Sequence, residues 1–351
     1  MNAHILNRIG LLAVGCGVGA ALAASPGSAS ADSSTDWWSD LVGGLSAADV
    51  APSSGLNLAI SIDGIQLVHD GTATANSSTG DIAIAYGDNS VASAVGGIGN
   101  TAIDIGNNTG GNDGAFAGGA AGDTGTAAGN FDTAIDIGNN AGNDDGAQAG
   151  NSDLPGGLSG STGSYDTAID IGNNTGIGSD GAFASAGFGS DGVTPVNGDH
   201  NTAIDAGNND GHADGANADT GDGNFASQSG NITGNFDGAD ASQGNDNIAV
   251  SDANYITGPG EGGGATAGLG NDNIAYVLDP FGTASTAGAG GDPNTLAPGD
   301  FNLAAVLLTD GNAVAQGGSD NLYDIVTALG NESGTAAATS GGWLAELLSL
   351  F

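Results

Sequence analysis

The octet Thr-Ala-Ile-Asp-Ile-Gly-Asn-Asn begins at Thr101, recurs intact at Thr133 and Thr167, and returns at Thr202 with Ala206 replacing the second isoleucine. Spacings of 32, 34 and 35 residues separate the four copies. Such self-similarity restricts a chain to stacked repeats, because one unit cannot bury its apolar face without its neighbours. A second motif, Asp-Gly-Ala-x-Ala, starts at Asp113, Asp145, Asp180 and Asp214, and again at Asp237 beyond the last octet. Two motifs per period imply at least two strands per period. In the octet, Thr101, Ile103 and Ile105 alternate with Ala102 and Asp104, which predicts isoleucine on the inner face and aspartate on the outer one. In the second motif the alanines persist while the residue between them reads Phe116, Gln148, Phe183, Asn217 and Asp240. Alanine is therefore expected inside and the variable residue in solvent, with Gly-Asn-Asn at corners that tolerate left-handed backbone.

The expected fold class is all-β: a single-chain β-solenoid or β-roll of repeats 32 to 35 residues long, with short helical or irregular caps. The composition agrees, since 68 glycines would weaken any helices they entered. Of the 40 acidic residues all but Glu261, Glu332 and Glu346 are aspartates, a residue of turns and caps. Weaker copies of the strand theme stand at Asn57-Leu58-Ala59-Ile60, Asp81-Ile82-Ala83-Ile84, Asn247-Ile248-Ala249, Asn273-Ile274-Ala275 and Asn302-Leu303-Ala304. Repeats are accordingly expected over 56–327, opened by a hairpin at Ser61-Ile62-Asp63-Gly64-Ile65-Gln66-Leu67, where Asp-Gly favours a tight primed turn. Segments 32–55 and 328–351 hold all three tryptophans, Trp37, Trp38 and Trp343. They are expected to cap the stack, the second as a linker and apolar helix too short to cross a bilayer.

Residues 1–31 run from Arg8 through an apolar stretch to Ala29-Ser30-Ala31, the pattern of a cleaved signal peptide. Leu12-Ala13-Val14-Gly15-Cys16 also has the look of a loose lipoprotein box, which would place a lipid on Cys16. Cleavage at Ala31 removes the single cysteine and the single basic residue, leaving no disulfide and no transmembrane span. A polyanion without lysine or arginine repels phosphate, so nucleic-acid binding is excluded.

The signal peptide, the Asp36-Trp37-Trp38 opening and the Gly/Asn/Ala/Asp-rich repeats resemble the secreted, acidic repeat proteins of mycobacteria and related actinobacteria. That resemblance implies export to the medium or cell envelope, with cell-envelope or host-surface components as partners. Gly80-Asp81-Ile82-Ala83-Ile84-Ala85-Tyr86-Gly87-Asp88-Asn89-Ser90-Val91-Ala92-Ser93-Ala94 is locally similar to the head repeats of trimeric autotransporter adhesins.

Three segments, Gly244-Asn245-Asp246-Asn247-Ile248, Gly270-Asn271-Asp272-Asn273-Ile274 and Gly318-Ser319-Asp320-Asn321-Leu322, resemble the second half of the calcium-binding RTX nonapeptide. The resemblance makes Asp246, Asp272 and Asp320 candidate calcium ligands. Asp104, Asp136, Asp170 and Asp205 recur at one octet position. Stacked in successive coils ~4.8 Å apart, they would repel by roughly 0.9 kcal/mol per pair even in water. Either each period holds two coils of about half its length, the preferred reading, or cations sit between the carboxylates. His69, His200 and His212 lack metal-ligand spacing, and with so many aspartates an acidic pair is expected by chance, so no catalytic residue is assigned. The function expected is a secreted or cell-surface structural or adhesive repeat protein. A disordered hydrated polyanion and a calcium-responsive RTX-like binding module are the alternatives.

Overall fold

A short strand cannot satisfy its own backbone groups and needs a hydrogen-bonded neighbour on each side, which repetition supplies. A computed structural model describes residues 57–339, except 112, 119–128, 142–145, 152–162, 176–180, 189–194, 197, 210–214, 234–237, 254, 257–263, 280–285, 291–299, 308–311, 317–324 and 330–334. The leader and the expected N-terminal cap lie outside the described residues; of the expected C-terminal linker and helix, 328–351, the described residues 328–329 and 335–339 are strand, in Ile325–Leu329 and Thr335–Thr339, so the stack runs on past 327. Every regular element among the described residues is a β-strand. The chain is a β-solenoid built of two long sheets.

Sheet 1 stacks, in order, Ile65–Asp70, Leu58–Ile62, Ile82–Tyr86, Thr101–Gly106, Thr133–Gly138, Thr167–Gly172, Thr202–Ala206, Phe225–Ser229, Ile248–Ala253, Ile274–Asp279, Leu303–Leu307 and Ile325–Leu329. Sheet 2 stacks Thr74–Ser77, Val91–Val95, Gly114–Gly118, Gly146–Asn151, Gly181–Phe188, Gly215–Asp219, Gly238–Ser242, Gly264–Gly268, Thr286–Gly290, Asn312–Gln316 and Thr335–Thr339. The hairpin opens sheet 1 as expected: Ile62 pairs with Ile65 across Asp63 and Gly64, whose φ values of 56° and 75° are those of a primed turn. Leu58–Ile62 is antiparallel to both neighbours, and from Ile82–Tyr86 onward sheet 1 is parallel.

Each octet pairs in register with the next, Thr101 with Thr133 and Asp104 with Asp136, then Asp136 with Asp170 and Asp170 with Asp205. One repeat is therefore one coil, not two. The octet supplies its strand to sheet 1, the Gly-Ala-x-Ala segment supplies its strand to sheet 2, and the rest of the period connects them.

The inward face also differs from expectation. Ala102, Ala134, Ala168 and Ala203 are fully buried, and so are Asp104, Asp136, Asp170 and Asp205. Because side chains alternate along a strand, the isoleucines occupy the outer face, where Ile137 and Ile171 are 40% and 48% exposed. Ile103 is covered, yet on that outer face, flanked by Ile84 and Ile135 of the adjoining coils. The cause lies in the opposing strand. Opposite the octets, sheet 2 presents only alanine and glycine inward among the described side chains, and Cα atoms of facing strands such as Thr133–Gly138 and Gly146–Asn151 come within 8 Å. Sheets carrying larger side chains stack ~10 Å apart, so an isoleucine does not fit this gap. The core cluster is alanine throughout except for Val277.

Glycine permits this closeness along the stack as well. A Cβ on Gly106, Gly138 or Gly172 would lie 1.4 Å from the carbonyl oxygen of the matching glycine in the next coil. Positive φ falls on the glycine opening the second motif, as at Gly114 (129°) and Gly146 (114°), and on the residue two before each octet, Phe131, Tyr165 and His200 at 63° to 65°. Gly-Asn-Asn was expected to take that role; its asparagines form hydrogen-bonded ladders instead.

Candidate functional site

The residue immediately before each parallel strand of sheet 1 is Asn or Asp, and from Asp81 to Asn302 these residues form one buried column. Asn100, Asp132, Asp166, Asn201, Asn224, Asn247, Asn273 and Asn302 each donate their backbone N–H to the side-chain Oδ1 of the column residue before, at 2.7 to 3.1 Å. The column thus satisfies the corner N–H that the sheet ladders do not reach. In the asparagine coils the amide nitrogen has its own acceptor: Asn100 donates to the carbonyls of Gly96 and Gly129 at 2.8 and 3.2 Å, Asn224 to Asp219 at 2.9 Å, and Asn247 to Gly270 at 2.9 Å.

A second buried column is the octet aspartate. Asp104 Oδ2 accepts from the Val91 N–H at 2.5 Å and from the Asn108 amide at 2.8 Å. The same i, i+4 amide meets Asp136 from Asn140 at 2.7 Å and Asp170 from Asn174 at 2.6 Å, and Asn209 repeats the bond with Asp205. Room for the carboxylate comes from the facing motif, since a Cβ on Gly114 or Gly146 would stand 3.1 or 3.0 Å from Oδ2 of Asp104 or Asp136. Burial pushes the Asp104 carboxyl up to about 7, with Asp113 adding to the shift. The adjacent-coil repulsion weighed above is thus met by amide donors and, at Asp104, by a raised proton affinity.

On the surface beside the buried column, Phe131 stacks on Tyr165 at 5.1 Å between ring centroids and Tyr165 on His200 at 4.9 Å. Stacking of aromatic rings offsets part of the strain of their left-handed backbone. Another ladder runs through the exposed asparagines of Gly-Asn-Asn, where Asn107, Asn139 and Asn173 donate N–H to Oδ1 of Asn139, Asn173 and Asn208.

Of the candidate calcium ligands, Asp246 and Asp272 occupy one corner position in successive coils, both exposed, with their N–H groups bonded to the carbonyls of Asp222 and Asn245. Asp320 lies outside the described residues. No group of three His, Cys, Asp or Glu side chains among the described residues is placed to hold a metal ion. The Gly-Asn-Asp-Asn-Ile pattern instead spells this corner: Asn245 on the surface, Asp246 with left-handed backbone, Asn247 in the buried column and Ile248 opening the strand. His69 and His200 are exposed and His212 lies outside the described residues. A depression of about 400 Å³ lined by Asn76, Asn89, Ser93, Asn108, Asp113 and Phe116 has Asp113 as its one titratable wall residue.

The buried corner column was missed in the sequence although its signal is there, an unbroken Asn or Asp before Ile82, Thr101, Thr133, Thr167, Thr202, Phe225, Ile248, Ile274 and Leu303. No helix among the described residues is long and apolar enough to cross a membrane. The chain matches no protein-family model, no curated protein and no solved structure.

Proposed function

We propose that the chain is a secreted, non-catalytic structural or adhesive element of the cell exterior that works through the outer face of sheet 1, and that the occupant of this face is a second copy of the chain. One observation carries the reading. Across the nine strands from Ile82–Tyr86 to Leu303–Leu307, the first, third and fifth residues point outward, and among the described side chains at these positions Asp252 alone is charged. The rest are rows such as Thr101, Thr133, Thr167; Ile103, Ile135, Ile169; and Tyr86, Ile105, Ile137, Ile171. The chain as a whole carries a formal charge of −39. Two such polyanions can approach most readily where carboxylates are sparse, and Asp252 is the one carboxylate among the described side chains of this face.

The size agrees with a dimer. Nine strands ~4.8 Å apart and five residues long at ~3.3 Å give roughly 650 Å², near the ~800 Å² per partner of a standard interface and above the apolar patches usual on monomers. The outer face of sheet 2 offers no such continuity, its matching positions reading Phe116, Gln148, Phe183, Asn217 and Asp240.

Sedimentation equilibrium of the full chain and of Ile137→Asp/Ile171→Asp tests the proposal. The wild type is expected to be dimeric at micromolar concentration and to dimerise more tightly as salt rises. The variant is expected to be monomeric with unchanged circular dichroism. A wild type that stays monomeric in high salt overturns the second-copy assignment; if it nevertheless adsorbs to an alkyl-coated surface that the variant does not bind, the face is adhesive toward a different partner.

A further inference from the structure

We propose that Asp132 and Asp166 are held as neutral carboxylic acids in the folded chain, each donating its proton to a glycine carbonyl of the next coil where asparagine donates elsewhere, so that these coils form a proton-locked joint. The argument rests on equivalence within the buried column. Oδ1 of Asp132 and of Asp166 accepts the next corner N–H, as an asparagine Oδ1 does. Both residues are fully buried, and Oδ2 of each has no hydrogen-bond partner.

The glycine three residues ahead marks the place that the second side-chain atom occupies. A Cβ on Gly244 would sit 2.9 Å from the Asn247 amide nitrogen and 1.7 Å from the Gly270 carbonyl oxygen, two atoms themselves bonded at 2.9 Å. On Gly129 it would sit 2.0 Å from Asp132 Oδ2 and 2.3 Å from the Gly163 carbonyl oxygen, and on Gly163 it would sit 2.2 Å from Asp166 Oδ2 and 2.5 Å from the Gly198 carbonyl oxygen. In these two coils an acceptor oxygen thus stands in the donor's place, facing another acceptor. A proton on Oδ2 restores the bond.

The surroundings favour the neutral form. Asp81 shares the column, Asp199 and Asp222 lie at the surface corner, and Asp136 and Asp170 follow on the same strands. Tyr165 and His200 stack beside them, and the described ends of sheet 2 bring only Gly118 and Gly150. The single Lys or Arg of the chain is Arg8, far away in sequence. Burial pushes Asp132 up to about 7 and Asp166 up to about 9, the latter with added repulsion from Asp132.

Thermal unfolding of the full chain, beside Asp132→Asn/Asp166→Asn, tests the joint from acid to alkaline pH, in chelator and in calcium. The wild-type Tm is expected to fall by several degrees from acid to alkaline pH. The variant, carrying a permanent donor, is expected to match it in acid, exceed it in alkali, and lose less over the range. A variant with the wild-type pH dependence, or one less stable in alkali, overturns the proposal. So does a calcium-induced rise in Tm confined to the wild type, which would place a cation on ionised carboxylates. Should the variant fail to fold, infrared spectroscopy of the unsubstituted chain decides: a neutral-carboxyl band that resists deuterium exchange and persists to about pH 8, where Asp104 and Asp240, raised only to about 7, are mostly ionised, supports the joint at Asp166, and its absence there overturns it.

Discussion

The coils carrying the octets and the coils that follow share one backbone plan but fill it differently. Between Asn100 and Asn201 the corner column advances 32 to 35 residues per coil, and its inner neighbours are Asp104, Asp136, Asp170 and Asp205. Between Asn201 and Asn302 it advances 23 to 29 residues, the described corner residues are all asparagine, and the inner position reads Gln228, Ser251 and Val277. The later coils show that sheet 1 can be built with no carboxyl group at the described corner and inner positions after Asp205; the covered carboxyls there, Asp219 and Asp240, stand on sheet 2. In the octet coils the buried sheet 1 carboxyl groups are an added electrostatic burden, tolerable through amide donors and raised proton affinity. The alanine rows and the corner hydrogen bonds are common to both regions and constitute the fold itself.

The largest effect is expected where coils touch without side chains. Gly138→Ala would thrust a methyl into the Gly172 carbonyl at 1.4 Å, and a contact with backbone cannot be relieved by a rotamer change. A loss of about 3–5 kcal/mol is expected, read as a lower denaturation midpoint. Next comes Asn247→Ala in the later coils. It removes the acceptor of the Asn273 N–H and the donor to Gly270, leaving two buried groups unsatisfied at a cost of about 2–4 kcal/mol at any pH. If that loss varied with pH, the asparagine corner column of the later coils would be coupled to a titrating group.

On sheet 1 the pH response separates the regions more sharply, although on sheet 2 of the later coils burial also raises Asp219 and pushes Asp240 up to about 7. Asp104, Asp132 and Asp166 bind protons more tightly when folded than their ordinary value of 3.8 allows. The folded chain then holds protons that the unfolded chain has released. Their contribution is complete below about pH 4 and is lost as pH climbs through about 7 for Asp104 and Asp132 and about 9 for Asp166. Amide exchange corrected for its intrinsic pH dependence should lose protection in Thr133–Gly138 and Thr167–Gly172 across that window. Ile248–Ala253 and Ile274–Asp279 should keep theirs, and equal losses in both sets would erase the contrast.

Much of this architecture was legible in the residues. Repetition gave the stack and Asp63-Gly64 its opening turn; the tolerant position of sheet 2 lies off the alanine rows as its variation implied, but it is not in solvent, since Phe116 is buried and Gln148 and Phe183 are half-buried. The phase of the octet was not legible, because hydropathy ranks isoleucine above aspartate for burial while the gap between the sheets is set by the opposing Gly-Ala-x-Ala strand. Only a methyl group fits the alanine rows, and a carboxylate fits where Gly114 or Gly146 withholds a side chain. The number of coils per period was missed for a related reason: a long period gives each of the two long sheets a single short strand, and the connecting residues carry no periodicity of their own. The buried corner column escaped notice because its asparagines read as turn residues, a description that is true of their backbone and silent about their side chains.

The smallest effect tests the same principle with its sign reversed. Gly288 lies in the later coils at the variable outward position of sheet 2, and a Cβ there meets nothing within 4 Å. It also has no positive φ, so alanine adopts its backbone without strain. Gly288→Ala is then expected to stabilise the chain by about 0.4–1 kcal/mol, through reduced freedom of the unfolded state rather than through any new contact. The expected readout is a small rise in denaturation midpoint with an unchanged slope. A loss of the size expected at Gly138 would show that glycine is required on the outer face too, and that coil-to-coil closeness is not what distinguishes the two positions.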